Sequence, residues 1–137
     1  MWAAPAAIRS GLEGKTRLRM VLATPGMFQG GWLPGWIDGR SYEGIIPGTG
    51  TRVTLRAAAV GRWAAVSGFS MEKAAGKFGR RPIRRVAPAG SVYYLEQTGG
   101  EPLPVDKVWL QPVSDVQDGV FDAARDGFGL ALWGLWT

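Results

Sequence analysis

Hydrophobic and polar positions alternate with a period of two in several stretches, the mark of strands with one buried face. In residues 16–23 (TRLRMVLA), Leu18, Met20 and Leu22 fall on one side and Arg17, Arg19 and Val21 on the other. In 51–59 (TRVTLRAAA), Val53, Leu55 and Ala57 oppose Arg52, Thr54 and Arg56. Gly61-Arg62 then predicts a turn into residues 63–66, which closes a hairpin. Residues 84–96 form a further extended stretch, with a bulge or kink expected at Pro88-Ala89-Gly90. The apolar run 127–136, if extended, sets Phe128, Leu130, Leu132 and Trp136 on one face and predicts a central strand.

The remaining segments read as connections. Residues 1–15 are an unanchored lead-in, so a single domain is expected over 16–137. Ser70 is placed to cap a short helix over 71–75, stopped by Gly76. Gly99-Gly100 marks a turn, and 105–111 a short strand before Pro112. Residues 25–50 carry Phe28, Trp32, Trp36 and Tyr42 among eight glycines. Loops this long are functional or disordered, and the aromatics argue against disorder. The favoured role for Trp32, Leu33 and Trp36 is to pin this loop to the domain; the alternative is that a Trp offers a stacking face to a base or partner. With 21 glycines and 9 prolines in 137 residues, turns and long loops outweigh helices. The expected class is α+β and strand-dominated, with long Gly/Pro/Trp-rich loops.

Composition narrows the chemistry. The chain has no Cys and no His, which removes disulfides, thiolate metal sites, the cysteine nucleophile and the commonest general base. The acid-rich stretch 114–126 lacks the ligand order of an EF-hand, so no calcium site is read there. Gly127-Phe128-Gly129 opens an apolar strand rather than a helix, so it is not a dinucleotide fingerprint. No catalytic residue, metal or cofactor is expected. No stretch is long and apolar enough to span a membrane, and the start lacks the basic region of a secretory signal, which makes a cytoplasmic location the default.

What remains is a cationic inventory. Sixteen basic against 11 acidic residues give a net charge of +5. The densest run is Lys73, Lys77, Arg80, Arg81, Arg84 and Arg85, offset only by Glu72. A guanidinium fork bonds phosphate bidentately, so a basic loop feeding a stiff strand suits a phosphate backbone. The alternative is a solvated loop kept basic for solubility. Arg52 and Arg56 add cations on a strand face, and aromatics are available for stacking, as single-stranded RNA recognition requires.

Three ordered strings, VLATPGMFQGGWLPGW, AVSGFSMEKAAGKFGRRPIRRVAPAGSVYYLE and DGFGLALWGLW, resemble the carboxy-terminal part of subunit three of the type III-B CRISPR effector, the Cmr complex. Gly127, Gly129 and Gly134 look like the glycine-rich signature of the RAMP superfamily. The resemblance implies a ferredoxin-like (RNA-recognition-motif-type) domain. It also implies a non-catalytic role in antiviral defence: binding the 5′ handle of the guide RNA and docking on the large polymerase-like subunit and the backbone subunit. The family's additional amino-terminal ferredoxin-like domain has no counterpart here, and the alternatives are a split gene product, a truncated remnant or one piece of a two-chain subunit, the last of which adds a separate chain supplying that domain as a partner. Phosphate contacts are expected from Lys77, Arg80, Arg81, Arg84 and Arg85, then Lys73, Arg52 and Arg56, with the three glycines acting through the backbone or through tight sheet packing.

Two other classes compete for the same inventory. A guide-RNA-processing endoribonuclease of the same superfamily, working through Tyr, Ser or Lys, predicts metal-independent cleavage of repeat RNA. A carbohydrate-binding module, suggested by the seven Trp, predicts salt-insensitive glycan binding and no affinity for RNA.

Overall fold

The computed structural model describes residues 3–66, 69–70, 79–80, 84–117 and 122–137. Along the chain run helix α1 (Ala6–Leu12), strands β1 (Arg17–Leu22), β2 (Glu43–Ile45), β3 (Thr51–Ala59), β4 (Ala64–Val66), β5 (Phe69–Ser70), β6 (Gly79–Arg80), β7 (Arg84–Val86) and β8 (Val92–Gly100), the single helical turn α2 (Val105–Val108) and strand β9 (Ala131–Leu135). Among the described residues, five strands form one antiparallel sheet in the order β2-β3-β8-β1-β9, while β4 pairs with β7 and β5 with β6 in two small ladders. A strand-dominated antiparallel sheet with few helices agrees with the expected α+β class.

The alternation seen in sequence is what builds the core. Leu18 pairs with Leu95 and Leu135, and Met20 with Tyr93 and Trp133, so apolar side chains come in rows across the sheet. Val53 and Leu55 of β3 extend the rows. Leu12 of α1, Phe28, Ile37 and Ile46 of the long connection, Val108 of α2 and Val113 complete this cluster. Each such side chain contributes roughly 1.5–3 kcal/mol by burial. A smaller cluster of Met27, Val86, Val116 and Ala123 anchors β7, whose chain continues into a backbone bridge between Gly26 and Ala87.

Several expectations are corrected. The amino-terminal lead-in is anchored: Ile8 and Leu12 lie four apart on α1, Leu12 is buried and Ile8 packs against the core. The expected hairpin of 51–59 with 63–66 does not form, because β3 is flanked on both edges by β2 and β8, which leaves β4 to pair with β7. Residues 105–108 are helical rather than extended. Val105 and Val108 both face the core, which a spacing of three allows on a helix and forbids on a strand.

Pro88-Ala89-Gly90 is a turn between strands of different ladders, fastened by the Ser91 hydroxyl donating to the Pro88 carbonyl at 2.7 Å. Strand β8 runs through Gly99 and Gly100 and pairs with β3 to its end. The terminal strand is shorter than expected, lies at the sheet edge and has the opposite phase: Ala131 and Trp133 are buried. Positive φ at Gly127 (83°) and Gly129 (72°) interrupts the extended run, so the alternation restarts after them. The helix expected over 71–75 lies outside the described residues, and Ser70 ends β5.

Candidate nucleic-acid interface

The same alternation that buries one face of the sheet fixes the composition of the other. Arg17 and Arg19 of β1, Arg52 and Arg56 of β3, Tyr94 and Glu96 of β8 and Trp136 after β9 project away from the core. The register sets Arg19 between Tyr94 and Gly134, and Arg17 beside Glu96. All four arginines are exposed.

The side chains on this face are ordered by one another. Arg56 donates to Glu96 at 2.8 Å, and Arg17 lies 3.6 Å from its other carboxylate oxygen. The hydrogen bond from Arg56, reinforced by the charges of Arg56 and Arg17, holds the Glu96 carboxyl below its ordinary value against a smaller effect of burial. The Arg17 guanidinium sits 5.1 Å from the Trp136 ring centre, and Tyr94 meets Trp136 edge-on at 5.9 Å. Trp136 is fixed by its indole N–H donating to the Leu95 carbonyl at 2.8 Å. The Arg19 guanidinium lies over Gly134 of β9, where a Cβ atom would meet it in ordinary contact at 3.4 Å. The result is an interleaved platform of planar cations and aromatic rings.

Of the residues picked out in sequence, Arg52 and Arg56 are on this platform. Arg85 is exposed in β7, with its guanidinium 4.5 Å from the centre of the Trp63 ring. Arg80 pairs through its backbone with Phe69, and Arg84 with Val66. Lys73, Lys77 and Arg81 lie outside the described residues. Gly127 accepts a bond from the Thr24 hydroxyl at 2.7 Å, and a Cβ on Gly129 would run into Ser114, so both are built into the packing of the chain on itself.

Sequence reasoning missed Arg17, Arg19, Tyr94 and Trp136 as site residues, although the alternation already set the two arginines on the polar side of their strand. Asp115, in the acid-rich stretch 114–126, accepts from the backbone amides of Gln29 (2.7 Å) and Gly35 and staples the long connection. Leu33 and Trp36 do pin that connection, Trp36 through its indole N–H to the Val113 carbonyl at 3.0 Å. Trp32 does not, since 45% of it is exposed. Its backbone carbonyl accepts from the buried Tyr93 hydroxyl, whose ionisation burial pushes well above the ordinary tyrosine range.

Comparison with known families gives one finding: a family model described as CRISPR-associated protein (Cas_Cmr3) matches residues 1–136. No curated protein matches the sequence.

Proposed function

Because the chain belongs to the Cas_Cmr3 family of CRISPR-associated proteins, subunits of the type III-B Cmr complex, we propose that it is a non-catalytic RNA-binding subunit. It helps hold the 5′ handle of the guide RNA and dock on the large polymerase-like and backbone subunits of a cytoplasmic antiviral effector. The observation that carries this reading is the open sheet face, where Arg17, Arg19, Arg52 and Arg56 alternate with Tyr94 and Trp136. Guanidinium groups bind the backbone of a single strand while aromatic planes stack on its bases. The basic run ending in Arg84 and Arg85 is read as a second source of phosphate contacts.

We also read the sheet as ferredoxin-like. Without β2, the order β9-β1-β8-β3 with all neighbours antiparallel is the 4-1-3-2 order of that topology. Here the first crossover is an irregular connection, and the second is largely irregular around α2.

The test is binding of a fluorescent handle RNA and a scrambled control across a salt series, with two variants alongside. In one, Arg17, Arg19, Arg52 and Arg56 become alanine; in the other, Arg80, Arg81, Arg84 and Arg85 do. Each lost phosphate contact flattens the slope of log K against log salt by about 0.7; Glu96 engages Arg17 and Arg56, so the sheet variant loses the contacts of Arg19 and Arg52 and roughly 1.4 of slope. A folded protein that binds neither RNA at low salt overturns the reading.

A further inference from the structure

A cleft of about 590 Å³ opens beside the end of β3 and is walled by Trp32, Ala58, Arg62, Trp63, Arg85 and Ala87. Ala58 pairs with Tyr93, a core-side position, so this cleft is separate from the open sheet face. Its volume lies in the range of small-ligand sites.

Two features distinguish its walls. Trp32 and Trp63 remain 45% and 52% exposed, whereas Trp133 is buried and Trp36 and Trp109 pack against the core. Trp32 is nonetheless anchored through its backbone and Trp63 through its ring. The backbone at Trp32 is fixed by the Tyr93 hydroxyl on its carbonyl and by the flanking bridges Phe28–Gly31 and Gly30–Leu33. Trp63 carries the Arg85 guanidinium against its ring. An exposed indole on an anchored backbone has little conformational entropy to lose on binding a flat partner. The second feature is charge: the described lining includes Arg62 and Arg85 and no carboxylate.

Flat apolar faces beside planar cations match a nucleobase joined to a phosphate, since indoles stack on bases and guanidinium forks bind phosphate oxygens. Neutral sugars also stack on tryptophan, but they would leave both cations unused. We infer that the Trp32–Trp63 cleft is a pocket for one unpaired nucleotide, its base stacked on the indoles and its phosphate held by Arg62 and Arg85. The nucleotide comes from a splayed-out position of single-stranded RNA, an assignment that rests on the RNA-binding reading above, or from a free nucleotide with the same chemistry.

The experiment separates these sources. Handle RNAs carrying one abasic site at each position in turn are titrated against the chain by fluorescence anisotropy, with AMP titrated separately. Stacking predicts that one position shows an abasic loss of about 5- to 150-fold in affinity. That loss disappears in Trp32→Ala and Trp63→Ala, while the losses at other positions persist. Trp63→Leu keeps the apolar bulk without the stacking plane and gives the same result, and 2-aminopurine at the sensitive position of the RNA is quenched by the wild-type protein.

RNA binding in which no abasic loss depends on either tryptophan overturns the pocket and leaves the open-face reading standing. AMP binding that requires both tryptophans, without RNA binding, supports a free-nucleotide site and overturns the RNA reading instead. Binding of neither overturns both.

Discussion

Glu96 is the carboxylate at the centre of the open face, and its removal is the sharpest probe of what the arginines there do. It holds Arg56 at 2.8 Å and Arg17 at 3.6 Å, so one acidic side chain engages two of the four cations. Glu96→Gln keeps the size of the side chain, removes the charge and frees both guanidinium groups for phosphate. If both make a contact, the salt slope steepens by about 1.4, and at 0.1 M salt the affinity rises by roughly 25-fold over that expected without them. Anisotropy titrations from low to high salt measure both quantities.

Glu13→Gln, which changes the net charge equally at the end of α1, is the control for long-range attraction and is expected to leave the slope unchanged. Adding Arg17→Ala and Arg56→Ala to Glu96→Gln is expected to cancel the gain. An unchanged slope in Glu96→Gln refutes the argument, because the released arginines then meet no phosphate. The carboxyl is held below its reference value of 4.5. Its contribution to stability is therefore present above the unfolded value and lost as pH falls through the depressed folded one, and only in that acidic window does wild-type RNA binding approach that of the variant.

Gly129→Ala is expected to destabilise the fold by about 2–4 kcal/mol. The φ of 72° is strained for alanine, and the new Cβ displaces Ser114, whose hydroxyl accepts from the buried Met27 amide at 3.0 Å. Urea unfolding checks this, and a loss below about 0.5 kcal/mol contradicts it. Tyr93→Phe is expected to cost about 1 kcal/mol through the lost bond to the Trp32 carbonyl. Because burial raises the folded pKa of Tyr93, the wild type is also expected to lose stability relative to Tyr93→Phe as pH rises above the free-tyrosine value of 10.0; parallel unfolding curves at alkaline pH refute it.

The strands that matter were legible wherever alternation runs unbroken over six or more residues, as in β1 and β3. Their buried and exposed faces follow from the order of residues alone, which sets Arg17 and Arg19 on the polar face of one strand and Arg52 and Arg56 on that of the other. Pairing was not legible. Nothing in residues 63–66 states that β4 belongs with β7, because that depends on which edges of β3 other strands have already taken. The phase of β9 was misread for a local reason: glycines at positive φ leave an apolar string looking continuous while the backbone turns within it. Asp115 was invisible because its partners, the amides of Gln29 and Gly35, lie some eighty residues away and have no side-chain signature.

Strand β8 ties the two candidate surfaces together through a period of two. Tyr93 and Tyr94 are neighbours in sequence and point to opposite sides of the sheet. Tyr93 is buried and uses its hydroxyl to fix the backbone at Trp32, a wall of the nucleotide cleft. Tyr94 stays partly exposed and packs edge-on against Trp136 on the cationic platform. The apolar side chains of α1, the long connection and α2 join the cluster on the core side. The opposite face is therefore left to residues that form strands and tolerate water: threonine, tyrosine, tryptophan, and arginine with its aliphatic stem. A sheet that the described residues cover on one side only must carry an amphipathic exposed face, and in this chain that requirement is met with arginine and aromatic side chains, the kinds that suit the proposed single-stranded partner. Folding and recognition thus draw on the same alternation. A one-residue slip of β8 would bury Tyr94 and Glu96, expose Tyr93 and Leu95, and abolish both surfaces at once.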